Sequence, residues 1–257
     1  MNYQLTPGLD IAELVVWAFF LFFLALIIYL RREDRREGYP LEDDVTGRVE
    51  SPGGFLSTAL PKVFHQPFGM GDRIQPDPRD RDSMDLKARR VSPGNGSPLE
   101  PIGDPLAAGV GPGAYARRSD RPDVNMEGHP RIVPLRVQPD FFVAKQDGDP
   151  RGYTVVGGDR VVAGTVSDIW IDTADRMVRY IEVATTSGKS VLAPMFMASV
   201  DRKRRTIEVD ALMGNQFAGA PATPANDQIS RDEEERAMAY FGGGYLYANA
   251  ARQEPWL

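Results

Sequence analysis

Cysteine is absent from the 257 residues, and histidine occurs only twice, at His65 and His129. The first absence excludes a disulfide framework, a thiolate metal site and a cysteine nucleophile. The second leaves too few imidazoles for a His-rich metal enzyme. An excess of positive charge is missing as well. Thirty Lys and Arg face 36 Asp and Glu, so electrostatics gives no reason to expect nucleic acid as the main partner. Catalytic fingerprints are equally scarce: no G-x-S-x-G, P-loop, G-x-G-x-x-G or H-E-x-x-H string occurs. The hydrophobic share of 42% and charged share of 26% are ordinary for globular chains, which excludes collagen, coiled coil and global disorder.

Long hydrophobic runs are lacking, with one exception. Leu14 to Leu30 is seventeen residues without a charge, and extending back to Ile11 adds only Glu13. Twenty residues at about 1.5 Å each match the roughly 30 Å hydrocarbon core of a bilayer. No second segment is apolar enough to bury such a helix in protein, so residues 11–30 read as a transmembrane helix. Residues 1–10 carry no Lys or Arg, whereas Arg31, Arg32, Arg35 and Arg36 follow the span at once. That order is the reverse of a signal peptide, and the positive-inside rule puts residues 1–10 outside and the rest in the cytoplasm. Asp10 and Glu13 have the spacing of an N-cap and its N3 partner. Trp17 and Tyr29 lie towards the interfaces. Ala18, Phe22, Ala25 and Tyr29 share a face that another helix or lipid could cover.

Beyond the span the composition divides. From Gly38 to Pro130 there are 13 Gly and 13 Pro in 93 residues, the density of a disordered chain. Phe55, Leu56, Leu60, Val63, Phe64, Phe68, Ile102, Leu106 and Tyr115 recur between the prolines. They favour an extended strap lying on another surface over a linker that touches nothing. After Arg131 the residues turn β-rich, at 131–137, 153–156, 164–172, 177–185, 190–195 and 206–210. Residues 177–183 alternate as a half-buried strand should. Turns at 172–175, 187–189 and 201–205 join neighbouring strands, predicting a small antiparallel barrel or sandwich over 131–212. Ser230 and Glu233 form a capping box that opens a helix through about Phe241, with Gly242 to Gly244 as its stop. The segments are then 1–10 outside, 11–30 in the membrane, 31–130 as juxtamembrane segment and strap, 131–212 as the β domain, and 213–257 as helical segment and tail.

Candidate chemistry is thin on residue grounds. Arg202 to Arg205 read as a solvated turn, or as a contact for anionic headgroups. His129 with Glu127 is too small a set for a metal site. Asp172 and Asp175 are either proton carriers or ordinary turn residues. Physical reading alone describes a single-pass, non-enzymatic scaffold with a cytoplasmic β domain.

Several strings in order sharpen this reading: LRREDRREGYPLE (30–42), GDPLAAGVGPGAYARR (103–118), GHPRIVPLRV (128–137), GTVSDIWID (164–172), VLAPMFM (191–197), NQFAGAPA (215–222) and EEERAMAYFGGGYLYA (233–248). Together they resemble the H subunit of the purple-bacterial photosynthetic reaction centre over nearly the whole chain. The resemblance implies a PRC-barrel-type domain capping the cytoplasmic face of the L and M subunits. It implies an accessory, non-catalytic role in the bacterial inner membrane, intracytoplasmic or chromatophore, with the N-terminus periplasmic. Bacteriochlorophyll, bacteriopheophytin, quinones, non-haem iron and carotenoid are then expected on L and M, with none ligated by this chain. Light-harvesting antenna, a bound cytochrome and membrane lipids are further expected partners; nucleic acid is not. By position in the matching strings, Asp172 and Asp175 fall on the family's proton route to the secondary quinone, and His129 falls near its entry. Some members carry a second His and an Asp where this chain has Glu127 and Asn125, so Glu127 is the candidate relay there. A membrane-tethered PRC-barrel adaptor for RNA or protein is the alternative; a membrane-anchored hydrolase lacks its nucleophile motif.

Overall fold

The computed structural model of the protein describes residues 4–6, 9–39, 41–43, 45–48, 59–77 and 87–253. Phe55 and Leu56 lie outside them. The chain forms two compact units, Met1–Ser83 with Pro93–Ser97 and Met84–Ser92 with Pro98–Leu257.

In the first unit β1 (Gln4–Thr6) pairs antiparallel with β2 (Leu9–Asp10), and α1 (Ile11–Glu33) follows directly. The Asp10 carboxylate caps the helix by accepting from the Ala12 amide at 3.1 Å. Glu13 in the first turn and Arg31 and Arg32 in the last complement the helix dipole. Twenty-three residues make the helix roughly 35 Å long, one turn beyond the predicted 11–30. None of its residues is buried, and it is long and apolar enough to cross a membrane. The unit also holds a hairpin, β3 (Lys62–His65) with β4 (Asp72–Gln75).

The second unit opens with another hairpin, β5 (Ala88–Arg90) with β6 (Leu99–Pro101). Its body is a seven-stranded sheet: β7 (Ile132–Pro134), β8 (Thr154–Gly157), β9 (Val162–Asp172), β10 (Met177–Thr185), β11 (Ser190–Pro194), β12 (Ala198–Asp201) and β13 (Thr206–Val209). The order is β11-β10-β9-β8-β13-β12, with β7 also on β9. The predicted turns after Asp172, at Ser187–Lys189 and after Asp201 are all present. Two features differ from the expectation. Strands β8 and β13 pair in parallel within an otherwise antiparallel sheet, and residues 135–137 leave the strand as a 3-10 turn. The sheet surrounds a core of Val155, Ile169, Ile181, Ile207, Leu212 and Phe217, each at most 2% exposed. Burying each such side chain contributes about 1.5–3 kcal/mol. Leu106, from the segment read as a strap, is a member of that core, whereas Leu60, Val63, Phe64, Phe68 and Ile102 are exposed.

Strand β10 is not half-buried as its alternation suggested: Tyr180 to Val183 are buried on both faces. Ile181 and Val183 enter the main core. Tyr180 turns to a second cluster with Ile132, Trp170, Leu192 and Ile229. That second face lies against α2 (Arg231–Tyr247), whose Ser230–Glu233 capping box forms as predicted. The helix does not stop at Gly242; the three glycines lie inside it and continue to Tyr247. Close packing is the reason. A Cβ at Gly243 would stand 3.1 Å from the Gly113 Cα, and one at Gly244 only 2.1 Å from the Ala211 carbonyl oxygen. The glycines let the helix approach the backbone, at the usual entropic cost of glycine in a helix.

Candidate functional site

The two-residue period of β9 lays Asp168, Trp170 and Asp172 on one face while Ile169 and Ile171 point into the main core. Across the ladder, Glu182 stands opposite Asp168, Tyr180 opposite Trp170 and Met177 opposite Asp172. Hence two carboxylate groups form on the same sheet face, one at each side of the Trp170–Tyr180 pair.

The first group is built on Arg131, immediately before β7. Its Nε donates to both Asp172 oxygens, at 2.9 and 2.8 Å, and its Nη2 donates to Asp175. Asp123 approaches the same guanidinium at 3.8 Å and accepts from Arg231, the first residue of α2, at 2.7 Å. Asp172 is 1% exposed and also accepts from the amides of Ala174 and Asp175, both at 3.0 Å, so it closes the turn as well as the ion pair. Burial pushes its carboxyl upward, but the Arg131 guanidinium and the turn amides outweigh it and hold it below its ordinary value. Asp175 is half-exposed at the outer end of the group.

Glu234, the fourth residue of α2, completes this group and was not singled out in the sequence. It accepts from the buried Tyr180 hydroxyl at 3.0 Å. Burial raises its carboxyl above the ordinary value, and the charges of Asp123 and Asp172 add to that against the opposing Tyr180 hydrogen bond and Arg179. Tyr180 is driven upward by burial and by Glu234. Glu234 lines a cavity of about 400 Å³ together with Arg118, Arg179, Arg231 and Glu235. The only sequence signal for it is its place in the EEER string, one residue after the capping Glu233.

His129 and Glu127 sit on a turn ending two residues before Arg131. Asn125 organises it: its Oδ1 accepts from the Glu127 and His129 amides at 3.1 and 2.9 Å, and its own amide donates to the His129 carbonyl. Gly128 takes φ +82°, a conformation only glycine adopts without strain. Both side chains are exposed, and among the described residues no hydrogen bond joins either to the carboxylates.

The second group was also missed. Arg136 donates to Asp168 at 3.1 Å, to Glu182 at 2.9 Å and to Asp227. Glu182 accepts in addition from Trp170 Nε1 at 2.9 Å and Ser190 at 3.0 Å. Burial raises the Glu182 carboxyl, but these three donors outweigh burial and hold it down. Every buried charge in this group has a partner, so none is left uncompensated.

The basic residues at and just after the end of α1 have separate fates. Arg31 pairs with Asp34 at 3.9 Å, and the Arg35 guanidinium lies 4.7 Å from the Tyr39 ring centre. Arg36 is buried, its guanidinium engaged by Glu33 and two carbonyls. No cluster of three potential metal ligands stands together among the described residues.

Comparison with known protein families adds two matches. Residues 3–137 match the photosynthetic reaction centre, H-chain N-terminal region, and residues 143–216 match the PRC-barrel domain.

Proposed function

This chain belongs to the photosynthetic reaction-centre H-chain family, and on that premise we propose that it caps the L and M subunits on their cytoplasmic side and supports proton delivery to the secondary quinone. Membership in the family implies a reaction-centre complex with L and M. In the proposal the chain is an accessory subunit of the bacterial inner membrane with its N-terminus periplasmic, and the pigments, quinones and iron are held by L and M. A quinone that accepts two electrons also takes up two protons, and a site sealed by protein receives them only through titratable groups and ordered water.

The observation that carries the proton-delivery reading is the Arg131–Asp172–Asp175 group with Glu234 beside it. Its members have distinct parts. Asp175, at the exposed end, meets solvent and exchanges protons with it. Asp172, held anionic by Arg131 and two amides, is a fixed negative charge that attracts protons without binding one near neutral pH. Glu234, with its carboxyl raised, is the member suited to hold a proton and pass it on. His129 and Glu127, on the exposed turn leading into Arg131, collect protons at the surface.

Flash-induced kinetics on purified complexes test this. Asp172→Asn with Asp175→Asn is expected to slow the proton-coupled second electron transfer while the first changes much less and the pigment spectrum stays intact. Asn keeps the turn-closing acceptor but removes the charge. A small weak acid such as azide or formate is expected to restore part of the rate. Glu234→Gln should slow the same step, and His129→Ala should do so more mildly. An unaltered second transfer in both the double mutant and Glu234→Gln would sink the assignment and leave Asp172 as a turn residue.

A further inference from the structure

The β3–β4 hairpin has no core of its own. All four β3 residues are exposed, as are Asp72, Arg73 and Ile74. The register sets Val63 opposite Ile74 and Phe64 opposite Arg73, so apolar side chains stand on both faces, with Phe68 exposed at the tip. A two-stranded hairpin of this kind is marginal alone in water.

Its base is clamped to the end of α1. Arg36 Nη1 donates to the Leu60 carbonyl at 2.5 Å and the Gln75 carbonyl at 2.8 Å, bridging the chain that leads into β3 and the last residue of β4. The rest of the same guanidinium grips Glu33 in the last turn of the helix, at 2.8 and 3.2 Å. Lys62 Nζ donates to Glu33 at 2.6 Å and lies 5.7 Å from the Tyr29 ring centre. A four-residue strand reaches about 13 Å, so the whole hairpin stays close to the point where the span ends.

We propose that this hairpin is a membrane-interface anchor that docks on a lipid surface bearing anionic headgroups. Val63, Phe64, Phe68 and Ile74 enter the boundary between headgroups and acyl chains, and Lys62 and Arg73 stand at headgroup level. Three observations select lipid over a protein partner. The hairpin is fastened to the end of a membrane span, so the bilayer surface is its immediate neighbour. Apolar groups occupy both faces and the tip, which suits a surrounding medium better than a flat protein face that would cover one side. Residues 31–37 and 62–75 together carry six Lys and Arg against four Asp and Glu, matching anionic headgroups.

The test uses the full chain in phosphatidylcholine vesicles with and without phosphatidylglycerol. Because the chain has no cysteine, Val63→Cys, Phe64→Cys and Phe68→Cys each give a unique spin-label site. Leu24→Cys in the span and Ser187→Cys on an exposed turn are the controls. Hairpin labels should be several-fold more accessible to oxygen relative to a water-soluble nickel reagent than the Ser187 label, and more so with phosphatidylglycerol present. On the unsubstituted chain, amides of residues 62–75 should exchange more slowly in vesicles with phosphatidylglycerol than without. Hairpin labels as water-exposed as Ser187 with the Leu24 label in the bilayer, or shielding that appears only when L and M are added, would overturn the proposal. A water-exposed Leu24 label would remove the span and the anchor together.

Discussion

Arg131 shows how one side chain can fix the protonation of its neighbours. With Asp172 held below its ordinary 3.8, the sign of its contribution follows: the stability is present above the unfolded value and lost as pH falls through the lower folded one. Glu182, held below its ordinary 4.5, acts in the same direction. Glu234 has the opposite sign. Its carboxyl is raised above 4.5, so its ionisation costs stability at neutral pH and nothing once the pH is below the unfolded value. Glu234→Gln is therefore expected to stabilise the β unit at pH 7 and to leave it nearly unchanged near pH 4, read by urea unfolding with Trp170 fluorescence. Asp172→Asn should lower stability at pH 7 by roughly 2 kcal/mol, less than the about 3–5 kcal/mol of leaving a buried charge without any partner, since Arg131 keeps Asp175 and Asp123. An increase in stability on Asp172→Asn would mean the ion pair does not repay its desolvation.

Among the elements, α2 separates two uses of glycine that look alike in sequence. Gly244→Ala drives a methyl onto the Ala211 carbonyl and should cost about 2–3 kcal/mol, despite alanine's better helix propensity. Gly242→Ala, whose nearest contact would be the Pro112 carbonyl at 3.4 Å, should be near neutral or mildly stabilising. Thermal unfolding of the two variants side by side checks the contrast; equal losses would refute the close-packing explanation. Sequence read the local signals well. The long apolar helix α1, the Ser230–Glu233 cap and the turns at Asp172, Ser187 and Asp201 each follow from a few adjacent residues. It failed where the cause lies far along the chain. Gly242 to Gly244 look like a stop because Gly113 and Ala211, which they pack against, are distant in sequence. Strand β10 looked half-exposed because nothing local says that α2 covers its second face. Asp172 was legible through its turn and its string, whereas Glu234 gains its raised carboxyl only from Tyr180 and Asp172 across the fold.

At the scale of the molecule, the second unit takes in part of the Gly/Pro-rich segment, since Leu106, Ala108 and Val110 are each about 5% exposed. Amides of residues 106–114 are therefore expected to exchange slowly even without partner subunits, in step with β9 and β10; fast exchange there would show that the segment is held only by the complex. The orientation proposed from Arg31, Arg32, Arg35 and Arg36 predicts that protease removes the β unit from inside-out membrane vesicles and spares it in intact cells. Digestion with the opposite sidedness would reverse the topology. The β8–β13 ladder has a consequence for the order of events during folding. Hairpins from β8 to β11, and the one joining β12 to β13, close through short turns, but the parallel ladder joins strands with four others between them. Its loop-closure entropy is met only after those hairpins exist, so it is expected to form late, after the sheet's folding transition state. Val155→Ala and Ile207→Ala, on facing positions of that ladder, should accelerate unfolding while leaving the refolding rate nearly unchanged, whereas Ile181→Ala in β10 should slow refolding.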